Sequence, residues 1–176
     1  MKNIITFAGS NSRNSINKKL AVLASSQLQN TKNTILDLND FPLPLYGVDI
    51  ETENGFPDNV KIFNELLLST DGIILSLAEH NGAYTAAFKN LFDWLSRIDK
   101  NVWKNKPMLL MSASPGGRGG ASVFNTASNS FPHLGGNIVA SFSLSFFGKH
   151  YSDDKILEED LHKEFLKQIV KFEQAL

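Results

Sequence analysis

The sequence predicts an α/β fold built around a parallel β-sheet. Short runs rich in apolar and β-branched residues alternate with segments whose apolar residues recur at helical spacing, and this alternation is typical of a parallel sheet covered by helices. The length of 176 residues suits one domain, because two domains of half that length would each have a small core. Hydrophobic residues make up 42% and charged residues 20%, which are ordinary values for a globular protein.

Five strands are predicted from the short apolar runs. The run at residues 73–77 is typical of the buried centre of a parallel sheet. The five predicted strands are residues 3–8, 33–38, 73–77, 107–113 and 137–142. Since crossover connections between parallel strands are right-handed, few strand orders remain, and 2-1-3-4-5 is the commonest order for five strands.

Five helices are predicted from the 3.6-residue spacing of apolar side chains. They begin near residues 15, 57, 85, 120 and 154, and the last extends to residue 175. Residues 41–47 contain two prolines and are predicted to be irregular, and residues 47–55 are predicted to form an exposed acidic loop. Together these elements predict a flavodoxin-like three-layer sandwich with a five-stranded parallel sheet of order 2-1-3-4-5.

Composition excludes several kinds of function. The formal net charge is -1, so no basic excess favours nucleic acid as a partner. The chain has no cysteine, which excludes disulfides and thiolate chemistry, and its four histidines are far apart without metal-ligand spacing. No stretch approaches the roughly 20 apolar residues that span a bilayer, and no signal peptide is evident. We therefore expect a cytoplasmic protein without metal, nucleic-acid or membrane partners.

The loop after the first strand is a candidate phosphate site. In doubly wound sheets, ligands bind beyond the carboxyl ends of the strands, where the strand order reverses. Here that edge carries the loops after the first, third and fourth predicted strands. The first loop leads into a helix N-terminus, which attracts anions, and its candidate residues are Ser10, Ser12, Ser15, Ile16 and Asn17. Several hydroxyls and an amide suit a terminal phosphate monoester; the alternative is a polar loop with Ser15 as helix N-cap.

The other two loops also combine glycine with polar groups. The second carries Ala78, Glu79, His80, Asn81 and Gly82, and the third carries Ser114, Pro115, Gly116 and Gly117. Glycine permits close approach of the backbone to a flat ligand. Taken singly, the second loop is equally consistent with a simple turn in which Asn81 and Gly82 adopt positive φ, and the third with a mobile surface loop. The coincidence of three such loops at one sheet edge favours a binding site.

These segments resemble the NADPH-dependent FMN reductase family, whose members include quinone, azo-dye and chromate reductases. The resemblance lies in three segments, residues 7–17, 77–97 and 106–120. The family's Pro-Glu-Tyr-Asn followed by Leu-Lys-Asn-x-x-Asp-Trp stands here as Ala-Glu-His-Asn from Ala78 and Phe-Lys-Asn-Leu-Phe-Asp-Trp from Phe88. The departures are Ala78 for Pro, His80 for Tyr, and Ser12 where the family commonly has Arg, with Arg13 one position later.

The resemblance implies one FMN-binding domain over residues 1–176. The first loop would hold the FMN phosphate, and the second and third loops would hold the edges of its ring. NADPH or NADH would be the reductant, with Arg13 and Arg118 as candidates for the nucleotide phosphates. The acceptor would be a small molecule: a quinone, an azo compound, free flavin or a metal oxyanion. Hydride transfer between the cofactors requires no acid–base pair from the protein, so no catalytic residue is assigned beyond His80, Asn81 and Gly82 near the ring.

Two other classes remain open from the sequence. A flavodoxin-type carrier would bind FMN without turning over a nicotinamide, although the near-neutral charge favours the enzyme, because such carriers are usually strongly acidic. A phosphate-binding regulatory module would use the first loop alone.

A homodimer or homotetramer is expected from the family and from an aromatic surplus in Phe88, Phe92, Trp94 and Trp103. An imidazole at His80 would add a group beside the flavin that changes charge near neutral pH.

Overall fold

The computed structural model describes all 176 residues. Nine strands, five of them in the main sheet and four in two short hairpins, accompany seven α-helices. The strands of the main sheet are β1 Lys2–Gly9, β2 Thr31–Ile35, β3 Gly72–Leu77, β6 Pro107–Ala113 and β7 Asn137–Leu144. Two short hairpins consist of β4 Glu79–His80 with β5 Ala83–Tyr84, and of β8 Tyr151–Ser152 with β9 Lys155–Ile156.

The helices alternate with the strands of the sheet. They are α1 Ile16–Gln27, α2 Val48–Asn54, α3 Asp58–Ser69, α4 Ala86–Ile98, α5 Ala121–Ser130, α6 Phe147–His150 and α7 Glu159–Ala175. Two 3₁₀ turns cover Leu38–Asp40 and Phe131–Leu134. None of the α-helices combines the length and the apolar character that crossing a bilayer needs.

The main sheet has the predicted topology. Its strand order is β2-β1-β3-β6-β7 and every pairing is parallel, which confirms the order 2-1-3-4-5. The residues of β3 are all buried, as its apolar run predicted. One core cluster packs α3, α4 and α5 against one face of the sheet, and a second packs α1 and α7 against the other. This arrangement is the predicted three-layer sandwich.

Three predicted segments differ in the structure. β2 ends at Ile35 rather than near residue 38, because it is an edge strand with exposed side chains, while Leu36 and Leu38 are buried beyond its end. The predicted acidic loop contains α2, which is held by Glu51 through hydrogen bonds from Arg97 and Tyr46. The last helix begins at Glu159 rather than at residue 154, since residues 151–156 form a hairpin.

The prediction that part of the aromatic surface in and near α4 is available for a subunit contact is wrong. Phe88, Phe92, Trp94 and Trp103 are each at most 8% exposed. The irregular segment before α2 covers this face of α4, and the Trp94 indole N–H donates to the carbonyl of Pro44 at 2.9 Å. These aromatic side chains therefore fill the core of one chain and provide no argument for a subunit interface.

Candidate functional site

The three predicted loops meet in one cleft of about 250 Å³ at the carboxyl end of the sheet. The cleft opens beyond β1, β3 and β6, where the strand order reverses. Its lining includes most of the predicted residues, namely Ser10, Ser12, Ser15, Ile16, Asn17, Ala78, Glu79, His80, Ser114 and Pro115, together with Asn14 and Ala113. Asn81, Gly82, Gly116 and Gly117 belong to the same loops but lie outside this lining. Asn14 was missed by the sequence analysis, although it lies within the polar run of the first loop.

The first loop forms a helix N-terminus with spare hydrogen-bond donors. The Ser15 hydroxyl accepts a hydrogen bond from Lys18 N–H at 3.2 Å, so Ser15 is the N-cap of α1. The Ser10 hydroxyl similarly accepts from Ser12 N–H at 3.1 Å. A hydroxyl that accepts from the backbone keeps its own proton for another acceptor. The helix cap and a phosphate-binding role are therefore compatible in this loop.

The donor set of this loop suits a phosphate. The backbone N–H groups of Ile16 and Asn17 lie in the first turn of α1, where no intrahelical carbonyl is available to them. The Ser12 side chain is exposed, and its hydroxyl makes no hydrogen bond within the chain. Hydroxyl and amide donors at a positive helix end are the groups that phosphate oxygens accept from. A phosphate monoester thus fits the residues present.

The Asn17 side chain is committed to the sheet. It is only 2% exposed, and its Oδ1 accepts from Ser76 Oγ at 2.7 Å and from Ala113 N–H at 2.8 Å. Its Nδ2 donates to the carbonyl of Ala113 at 3.1 Å. The sequence predicted a phosphate contact for this amide, whereas in the structure the amide ties α1 to β3 and β6. The backbone N–H of Asn17, in the first turn of α1, has no intrahelical partner.

The second loop is the β4–β5 hairpin. Its two turn residues, Asn81 and Gly82, have φ values of 52° and 77°, as their sequence predicted. His80 precedes this turn with an exposed side chain that lines the cleft. Glu79 lines the cleft as well, and its carboxylate accepts from Val123 N–H in the first turn of α5 at 3.0 Å. Glu79 therefore joins the second loop to the helix that follows the third loop.

The third loop, residues 114–120 and termed the glycine loop here, is attached to the end of β7. Ser114 N–H donates to the carbonyl of Leu144 at 3.2 Å, and the Ser114 hydroxyl donates to the carbonyl of Gly116 at 3.0 Å. Arg118 is exposed and donates to the Ser122 hydroxyl at 3.1 Å. The loop thus places an exposed cation near the site while its backbone remains anchored.

The charged groups beside the first loop differ in their partners. Arg13 is exposed and forms no ion pair. Lys18 forms an ion pair with Asp37, and hydrogen bonds from Lys18 and from Asn39 N–H lower the pKa of the Asp37 carboxyl. Asp37 also caps the 3₁₀ turn at Leu38–Asp40.

The fold and the cleft define a flavodoxin-like protein whose cleft lies at the switch point of the sheet, beside a first loop whose donors suit a phosphate. Residues 2–149 match the NADPH-dependent FMN reductase family. The chain belongs to this family, and membership implies FMN as the cofactor and NAD(P)H as the reductant. The resemblance identified from the three sequence segments is therefore confirmed.

Relatives and solved structures are consistent with this family. The chain is 32% identical over 123 residues to a quinone reductase of Escherichia coli, a match that covers 67% of this chain and 63% of the relative, less than two thirds of its length. It is 32% identical over 137 residues to an NADPH:quinone oxidoreductase of Arabidopsis thaliana, covering 76% and 69% of the two chains. The structure of FerB, a flavoenzyme NAD(P)H:(acceptor) oxidoreductase of Paracoccus denitrificans, superposes with a TM-score of 0.75 at 24% identity over 99% of both chains, which supports the fold.

Proposed function

We propose that this protein is an FMN-dependent oxidoreductase that uses NAD(P)H to reduce a small acceptor such as a quinone. The observation that supports this function most directly is the meeting of a donor-rich helix N-terminus with two glycine-bearing loops in one cleft. The helix end suits a phosphate, and the two loops expose backbone donors suited to the polar edge of a planar ring. When bound, FMN accepts a hydride from the nicotinamide and passes electrons to the acceptor.

The protein's own residues hold and orient the cofactor in this proposal. The hydroxyls of Ser10, Ser12 and Ser15 and the first N–H groups of α1 bind the phosphate. Ala78 to Gly82 and Ser114 to Gly117 would hold the edges of the ring, through backbone donors near Asn81 and Gly82 and in the glycine loop. Because no proton has to be removed by a side chain for hydride transfer, alignment is the main contribution of the protein.

Arg13 and Arg118 are proposed to bind the phosphates of the nicotinamide nucleotide. Both side chains are exposed, Arg13 in the first loop and Arg118 in the glycine loop, and Arg13 has no ion-pair partner that would compete. Replacing Arg13 by Gln should raise the KM for NADPH with little change in kcat, because a group that binds ground state and transition state equally changes KM alone. An unchanged KM would remove Arg13 from the nucleotide site.

A rapid-mixing experiment tests the proposed function. The FMN-loaded protein is mixed anaerobically with NADPH or NADH, and the oxidised flavin band is followed. Loss of the band with one of the nucleotides, and its return when a quinone is added, is the expected result. A protein that binds FMN but is reduced by neither nucleotide would be an electron carrier, and a protein that binds phosphate without flavin would be a regulatory module.

The proposal also includes the electron acceptor, the cellular location and the oligomeric state of the protein. Quinone is the first acceptor to test, because the relatives from Escherichia coli and Arabidopsis thaliana are described as quinone reductases; azo compounds, free flavin and metal oxyanions are the other candidates. We propose a cytoplasmic location, where NAD(P)H is available, which fractionation would test. A homodimer or homotetramer stays a prediction; Leu45 and Val48, 77% and 61% exposed, are apolar positions for such a contact. A single-subunit mass in light scattering would contradict it.

A further inference from the structure

Phe146 has an uncommon backbone conformation beside the glycine loop. Its φ is 47° and its ψ is 50°, in the left-handed region that bulky side chains disfavour. Such a conformation persists only where surrounding contacts hold it, and it is often found at functional sites. Its ring is 48% exposed, so burial in the core does not account for the conformation.

The contacts of Phe146 are made with the glycine loop. Phe146 N–H donates to the carbonyl of Gly116 at 3.0 Å, and Phe147 N–H donates to the carbonyl of Ser114 at 3.0 Å. The ring of Phe146 packs directly on the backbone of Gly117, where an added Cβ would lie 2.7 Å from Phe146 Cζ. On its other side the ring meets the imidazole of His150 edge to face at 6.1 Å between centroids.

These contacts fix the direction of one backbone donor. All peptide bonds are trans, so the N–H of Gly117 points opposite to the carbonyl of Gly116. That carbonyl faces Phe146, which follows the edge strand β7. The same carbonyl also accepts from the Ser114 hydroxyl at 3.0 Å, and Ser114 and Pro115 line the cleft. The Gly117 N–H makes no hydrogen bond within the chain, so it is a donor of fixed direction that is available to a ligand.

We infer that Phe146 is a positioning residue of the flavin site, which holds the glycine loop in the conformation that binds FMN. This inference rests on the proposed function for its ligand. It assigns a fourth loop, after β7, to a site that the sequence analysis built from three. The ring contact compensates for a backbone conformation that glycine would adopt without strain.

Three substitutions separate the ring from the backbone. Phe146→Ala removes the ring and keeps the strained conformation, Phe146→Gly removes both the ring and the strain, and Phe146→Leu keeps an apolar side chain over Gly117. We expect FMN affinity, measured by quenching of flavin fluorescence, to fall about tenfold in the Ala and Gly variants. The Leu variant should stay within about threefold of wild type. Leu157→Ala, at an apolar residue 58% exposed, is the control and should bind FMN normally.

Two further measurements distinguish positioning from a general structural effect. In the flavin-free protein, hydrogen exchange at the amide of residue 147 should become faster in the Ala and Gly variants but not in the Leu variant, because this amide donates to the glycine loop. Binding of inorganic phosphate, which probes the first loop, should be unchanged in all variants. Equal loss of phosphate and FMN binding, wild-type FMN affinity in the Ala and Gly variants, or unchanged exchange at residue 147 would each overturn the inference. Absence of FMN binding by the wild type would instead refute the proposed function itself.

Discussion

The Asn17 side chain accepts a hydrogen bond of 2.7 Å from the hydroxyl of Ser76, and both residues are buried. This bond joins the first turn of α1, which carries the proposed phosphate site, to the central strand β3. A second bond to Asn17 comes from Ala113 N–H on β6. The first loop is therefore held in place by the two strands whose ends form the rest of the cleft.

Replacing Asn17 by Ala should destabilise the flavin-free protein. The substitution leaves the Ser76 hydroxyl and Ala113 N–H buried without partners, and each unsatisfied group costs about 1–3 kcal/mol, so we expect a loss of about 3 kcal/mol in urea unfolding. Ser76→Ala should cost less, and the double variant should lose less than the sum of the single variants. Asn14→Ala, at an exposed position of the same loop, is the control. Additive losses in the double variant would contradict the coupling.

Glu79 should be needed for its hydrogen-bond acceptor more than for its charge. Its carboxylate caps the first turn of α5 through Val123 N–H, a contact of the kind that contributes about 1 kcal/mol. Glu79→Ala should lower the free energy of unfolding by about that amount and weaken FMN binding, whereas Glu79→Gln, which keeps an acceptor oxygen, should lose less of both. Thermal unfolding with and without FMN measures the two effects. Equal losses of stability and of FMN affinity in the Gln and Ala variants would show that the hydrogen bond from Val123 N–H does not account for the effect of Glu79.

The sequence predicted the parts of the fold whose stability is local or fully buried. The apolar run of β3 and the run of β6 were placed almost residue for residue, because a strand buried on both faces needs such a run. The edge strand β2 was misplaced, since four of its five residues are exposed and the buried Leu36 and Leu38 lie beyond it. The helix α2 was missed because Glu51 is held by Arg97, 46 residues away, and no local pattern reveals such a contact.

For the candidate site, too, the sequence predicted the place in the fold but not the contacts made by residues distant in the chain. The location of the cleft was predicted from the topology and from the three polar, glycine-bearing loops, because ligands bind where the strand order of a doubly wound sheet reverses. The roles of single residues depended on distant partners. The Asn17 side chain was assigned to the phosphate because its actual partner, Ala113, lies 96 residues away and could not be recognised from the sequence. Phe146 was overlooked because only the structure places it against Gly117.

Ser12→Ala should weaken FMN binding without changing stability. The Ser12 hydroxyl makes no hydrogen bond within the chain and lines the cleft, so its removal leaves no protein group unpaired. One hydrogen bond to a charged phosphate contributes about 1.5–3 kcal/mol, which corresponds to at least a tenfold rise in Kd. Ser26→Ala, at the other end of α1, is the matched control. Unchanged affinity for FMN would remove Ser12 from the phosphate site.

The Lys18–Asp37 pair should make a small contribution to stability that acid removes. The lowered pKa of Asp37, caused first by Lys18 and then by Asn39 N–H, means that the folded state binds the proton less readily than the unfolded state. The contribution is therefore present above the ordinary Asp value of about 3.9 and is lost as the pH falls through the lower folded value. Because both side chains are partly exposed, it should stay below about 1 kcal/mol.

Asp37→Asn tests this linkage. Its urea-unfolding free energy should be slightly lower than that of wild type at pH 6, and the difference should shrink as the pH falls below 4. Asp58→Asn, which removes a fully exposed ion pair with Lys61, serves as the control. A difference between Asp37→Asn and wild type that is constant from pH 6 to pH 2.5 would contradict the assignment.

His80→Tyr should change how the flavin potential depends on pH. His80 lines the cleft at the end of β4, and its exposed ring has no hydrogen-bond partner within the chain. Histidine is the side chain that changes charge between about pH 5 and 8, and a positive imidazolium beside the ring would raise the midpoint potential of bound FMN. With Tyr at this position, the plot of midpoint potential against pH should be flatter than that of wild type, beyond the flavin's own proton uptake. His133→Tyr, an exposed histidine in the 3₁₀ turn after α5 and outside the cleft, should leave the plot unchanged. If wild type and His80→Tyr gave the same curve in a spectroelectrochemical titration, His80 would be a turn residue that faces solvent and has no electrostatic effect on the cofactor.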